Sequence, residues 1–184
     1  MFEGWHDFYL VLGPASAGLI GLLFVVVTLT TNLEREKAMR GVRIFMTPIV
    51  FHLGVLVLLS GLALFPRVSS DFVGAAAFAG GLVGLAYAAY ICQAFLSKAV
   101  ESYEGDLWRY GIGAGVLYAG LVVAAALILF GEAIGPYVLA VDQIALFLLM
   151  VHNTWDLVVF ITPRKDDPMP AAGRQADNSQ LTDQ

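Results

Sequence analysis

Six side chains within long apolar stretches have the types that do chemistry away from water: His52, Tyr87, Asp142, His152, Asn153 and Asp156. An ionisable group at mid-bilayer costs at least a few kcal/mol and needs a partner or water. Turning each residue by 100° places Asp142, Ala145, Leu149, His152, Asn153 and Asp156 in an arc about 100° wide. A helix there carries a polar stripe along most of its length. Asp156 follows His152 by one turn, where it can accept a hydrogen bond from the imidazole.

Four kinds of chemistry fit these residue types. A hydrogen-bond network holding helices together needs only donors and acceptors. A proton or ion pathway uses intramembrane Asp and His as its ordinary material. Two histidines and a carboxylate are compatible metal or haem ligands, although their spacing fits no specific motif. Intramembrane hydrolysis has no nucleophile elbow, HExxH or paired-Asp signature behind it. Cys92 stands alone, which excludes an intrachain disulfide, and its position near a helix end reads as an ordinary buried thiol.

The elements that must position these residues are five apolar stretches: Phe8 to Thr30, Ile44 to Phe65, Phe72 to Leu96, Ile112 to Phe130 and Tyr137 to Ile161. A hydrocarbon core roughly 30 Å thick takes about 20 helical residues, so each stretch is long enough to cross. The stretches lack the alternation of a membrane barrel, and a helix alone satisfies its own backbone in lipid. The expected fold is an all-α polytopic bundle of five transmembrane helices. With 59% hydrophobic and 14% charged residues, against roughly 45–50% and 25% in soluble domains, a soluble fold is excluded. The formal charge of −5 comes partly from connectors and tail, where water screens it, and points to no partner.

Orientation follows from the ten Lys and Arg residues. Arg35, Lys37, Arg40, Arg43, Lys98, Arg109, Arg164, Lys165 and Arg174 fall on one side and Arg67 alone on the other. By the positive-inside rule the N-terminus is outside and the C-terminus cytoplasmic. Trp5, Tyr9, Trp108, Tyr110 and Tyr137 sit at the expected interfaces. Met1 to Asp7 has no Lys or Arg, so span 1 is read as retained rather than as a signal peptide. Residues 1–162 form the transmembrane domain, and the Pro-rich polar stretch 163–184 is expected to be a disordered cytoplasmic tail. His52 and His152 then lie roughly 12 and 13 Å inside the cytoplasmic ends of spans 2 and 5, at a shared level with Tyr87 nearby. Pro14 and Pro48 can each bend a span; Pro48 is alternatively harmless if it lies in the first turn of span 2.

Small residues recur at four-residue spacing. Gly13, Ala17 and Gly21 form a row on span 1, Gly80, Gly84 and Ala88 on span 3, and Gly111, Gly115 and Ala119 on span 4. Such rows let helix backbones approach closely, within one chain or between copies.

The opening Trp5-His6-Asp7-Phe8-Tyr9 and the run from Gly13-Pro14-Ala15-Ser16-Ala17-Gly18 to Val25, with Trp155-Asp156-Leu157 near the end, resemble a broad group of uncharacterised small bacterial five-span inner-membrane proteins. The resemblance covers mainly the first span and implies a bacterial inner membrane, with no activity to carry over. The expected function is that of a non-enzymatic subunit in a homo- or hetero-oligomeric membrane complex, with lipid and membrane-protein partners, no nucleic acid, no cofactor and no metal. The alternative is a proton-linked channel or transporter using the His/Asp cluster.

Overall fold

A computed structural model describes residues 3–30, 37–97 and 107–161. Among them the secondary structure is entirely helical: α1 (His6–Thr30), α2 (Lys37–Ala63), α3 (Ser70–Leu96), α4 (Gly113–Leu129) and α5 (Gly135–Ile161). All five are long and apolar enough to cross a membrane, so the chain is a multi-pass membrane protein. Short helical turns precede α1 (Glu3–Trp5) and α4, where Leu107–Ile112 is wound as a π-helix.

One boundary differs from the sequence reading by more than two residues. Helix α2 begins at Lys37, seven residues before the apolar run, because Lys37, Ala38, Met39 and Arg40 are good helix formers that need no lipid to stay wound. Pro48 therefore sits well inside the helix rather than in its first turn, and Pro14 likewise lies within α1. The expected tail, 163–184, and the connector residues 31–36 and 98–106 lie outside the described residues.

Turn chemistry sets the connections between α2 and α3 and between α4 and α5. Ser69 caps α3, its hydroxyl accepting from the Phe72 N–H at 3.1 Å, which satisfies one of the N–H groups a helix start leaves open. Between α4 and α5, Gly131 adopts φ +79°, a left-handed conformation that glycine reaches without steric cost. The chain then re-enters at Gly135, where a Cβ would stand 2.8 Å from Ile128. Trp5 on the first turn and Tyr137 on α5 meet edge to face at 5.0 Å, joining the ends of α1 and α5.

The most extensive packing is α3 on α4, followed by α1 on α2, α4 on α5 and α2 on α5. The α3 surface explains the first of these. Its buried residues Gly74, Ala77, Gly81, Gly84 and Ala88 alternate steps of three and four, the spacing that keeps a seam on one face of gently supercoiled helices. Added Cβ atoms at Gly74, Gly81 and Gly84 would meet Ile128, Val122 and Tyr118 respectively, so α3 runs antiparallel to α4 with each glycine facing a larger side chain. The seam follows this alternating register rather than the four-residue row of Gly80, Gly84 and Ala88: a Cβ on Gly80 would stop 4.0 Å from Leu59 and Val55, on the α2 side.

The other small residues divide in the same way. A Cβ on Gly13 would come within 3.0 Å of the Ser60 Cβ, which places α1 directly on α2 there. Ala17 and Gly21 instead face outward, and a Cβ on Gly21 would meet nothing within 4 Å. Inward contact on α1 passes through Tyr9, Leu12, Gly13, Ser16 and Leu23, a different stripe from Gly13, Ala17 and Gly21. On α4, a Cβ on Gly115 would make ordinary contact with Ala88 at 3.6 Å, and on the π-helical turn before it Gly111 stands where a Cβ would come within 2.6 Å of Cys92 Sγ.

Candidate functional site

The helical register of α5 decides where its polar residues go. Leu139, Gln143, Leu146, Met150, Asn153 and Leu157 are buried and define the inward face. The stripe from Asp142 to Asp156 runs along one flank of that face, so the edge of the bundle splits it. Asp142 and Asn153 are inside, whereas His152 keeps 56% of its side-chain surface exposed and Asp156 32%. His152 Nε2 lies 3.6 Å from Asp156 Oδ2, the expected i,i+4 pairing, but on the outward side.

His52 is at the centre instead. It is 1% exposed, and its Nδ1 lies 2.8 Å from the hydroxyl of Tyr118 on α4. Helices α2 and α4 are not among the closely packed pairs, so these two side chains reach each other across the bundle interior. Glycine makes the geometry possible. The Tyr118 ring lies flat on the α3 backbone at Gly84, where any Cβ would overlap three of its ring carbons. Tyr87 joins the group through its ring, 5.9 Å from His52 and 4.2 Å from Phe51. The shared depth expected for His52 and His152 does not bring them together, because His152 points out of the bundle.

Asp142 is the buried carboxyl. It is 8% exposed, and its Oδ1 occupies the niche left by Gly120 on α4: a Cβ there would collide with it. Its Oδ2 is buried without a hydrogen-bond partner. The next residue, Gln143, is also buried, with neither amide atom bonded, and so is Asn153, whose side-chain atoms are unpartnered while its carbonyl accepts from the Tyr110 hydroxyl at 3.3 Å. His52 Nε2 and Ser60 Oγ are further buried polar atoms with no hydrogen bond among the described residues. A unit that buries this many unmet donors and acceptors in an apolar slab spends free energy that packing alone does not require.

The sequence reading missed Tyr118, Gln143, Ser60 and Gly120. Tyr118 stands in the middle of span 4, where the headgroup preference of tyrosine has no explanation, and that depth was the available signal. Gln143 is turned 100° from Asp142 and so fell off the stripe. Among the described residues, no three or more His, Cys, Asp and Glu side chains are grouped as a metal site requires.

The chain matches no family model, no curated protein and no solved structure.

Proposed function

We propose that this protein is a non-enzymatic subunit of a homo- or hetero-oligomeric complex in a bacterial inner membrane, with its N-terminus outside and its C-terminus cytoplasmic. The observation that carries the reading is the outward-facing His152–Asp156 pair, 3.6 Å apart on α5. His152 stands nine residues before the helix end at Ile161, roughly 13 Å along the axis. Ionisable side chains at such positions seldom face lipid, and a neighbouring protein surface shields the pair from the acyl chains. The outward small-residue patch of Ala17, Gly18 and Gly21 on α1 supports the same reading, since it permits close approach of another helix. The bias in Lys and Arg supports the orientation, and the first-span resemblance supports the bacterial inner membrane.

Cross-linking tests the assembly. In a Cys92→Ser background, single cysteines at Ala17 and Trp155 should join two copies, or a copy and a co-purifying chain, in native membranes. Absence of any inter-chain product from both positions removes the reading.

A second reading, a proton-linked channel or transporter, is favoured by the buried His52–Tyr118 bond and the buried Asp142. Proteoliposomes carrying the wild type should then show ion flux driven by a pH gradient. A chain that conducts nothing under either a gradient or a voltage rejects it.

A further inference from the structure

The carboxyl of Asp142 poses a charge problem that the chain's own side chains leave open. No Lys or Arg occurs in α1, α3, α4 or α5, and those of α2 are Lys37, Arg40 and Arg43, more than two turns before His52. The titratable groups facing this interior are Tyr118 from α4, His52 from α2, Tyr87 from α3 and Tyr9 from α1. The tyrosines ordinarily stay neutral near pH 7, so His52 is the one side chain among them that can carry positive charge. It bonds Tyr118, which stands two residues before Gly120 on the helix that holds the Asp142 niche.

Oδ2 has no partner, and the bond between His52 Nδ1 and Tyr118 leaves Nε2 unmet whichever group donates. Among the described residues, a carboxylate in this setting finds neither a Lys or Arg counter-ion from the five helices nor a hydrogen bond on Oδ2. The carboxylic acid removes the charge.

We propose that Asp142, seated in the Gly120 niche with Tyr118 and His52 behind it, is a proton-binding site inside the membrane that loads and unloads a proton from water. On loading, a proton adds to Oδ2 and the carboxylate becomes a neutral carboxylic acid; unloading returns the proton and restores the charge. Tyr118 is a positioning residue, holding the His52 imidazole in the same interior. The inference rests on the membrane-spanning reading and deepens the proton-linked one by naming the group that titrates. It holds whether or not the loaded proton travels further.

Infrared difference spectroscopy on the full chain in liposomes reads the site directly. The carbonyl stretch of a protonated carboxyl, absent from Asp142→Asn, should appear and vanish with pH in the wild type, and Asp142→Glu should retain a titrating band. Tyr118→Phe should keep the band but shift its midpoint by about half a pH unit or more, which a merely structural tyrosine would not do. A band present at every pH, no band at any pH, or a Tyr118→Phe midpoint equal to the wild type's overturns the proposal. So does a midpoint that moves when choline is replaced by sodium, since the site would then take a metal cation. A chain that never enters the bilayer refutes the spanning reading instead, and a titrating band without flux refutes transport while leaving the site intact.

Discussion

Replacing Gly84 with alanine adds one methyl group where α3 meets the Tyr118 ring, at a position that already overlaps three ring carbons. Either the ring turns away or the helices separate. Overpacking of this kind costs about 1 to 3 kcal/mol. A displaced ring also gives up the 2.8 Å bond to His52, and an interhelical hydrogen bond in a membrane contributes about 0.6 kcal/mol on average. Against this, alanine gains up to about 1 kcal/mol in helix propensity. The net destabilisation is therefore about 1 to 3 kcal/mol. Gly54→Ala, inside α2, is the matched control, because its methyl would meet nothing within 4 Å and only the propensity gain remains. Reversible unfolding in mixed detergent micelles, followed by circular dichroism, measures both. In a Tyr118→Ala background the ring is absent, so the cost of Gly84→Ala should largely disappear, giving a coupling of about 1 kcal/mol or more. Equal stability of Gly84→Ala and Gly54→Ala, or full additivity in the double variant, would refute the argument that the ring is seated on the glycine.

Along the same seam, Gly81→Ala should also destabilise, since its Cβ would stand 2.7 Å from Val122, whereas Gly115→Ala, at 3.6 Å from Ala88, should stay within about 0.5 kcal/mol of wild type in the same titration. Tyr118→Phe removes the partner of His52 Nδ1 and should cost about 1 kcal/mol with the helix content unchanged. For topology, in a Cys92→Ser background a cysteine at Glu132 should react in intact cells with a membrane-impermeant maleimide and one at Asp177 should not; labelling at Asp177 reverses the orientation.

The five helices were legible because length and apolarity alone decide what can cross a bilayer, and the same arithmetic located every span to within a few residues except the start of α2. Inward and outward faces were less legible. In a soluble helix, polarity marks the outside, but lipid accepts Leu82, Val83 and Tyr90 on the outside of α3 as readily as the core accepts Leu53 and Leu56 on α2. Periodicity therefore found the polar stripe of α5 without revealing that the bundle edge divides it, leaving Asp142 inside and His152 outside. Four-residue spacing likewise picked out Gly21, which faces away, and missed Gly74, which lies on a seam of alternating three- and four-residue steps. The His52–Tyr118 bond depends on how α2 and α4 lie across the bundle, a long-range relation that one span's pattern does not contain.

The mass of the purified assembly in mild detergent, compared between wild type and a His152→Leu/Asp156→Leu variant, tests the subunit account most directly. The account predicts a wild-type particle containing more than one chain, either copies or a stoichiometric partner, and a smaller particle for the variant with its helix content intact. A wild-type particle of one chain, unchanged in the variant, would contradict it.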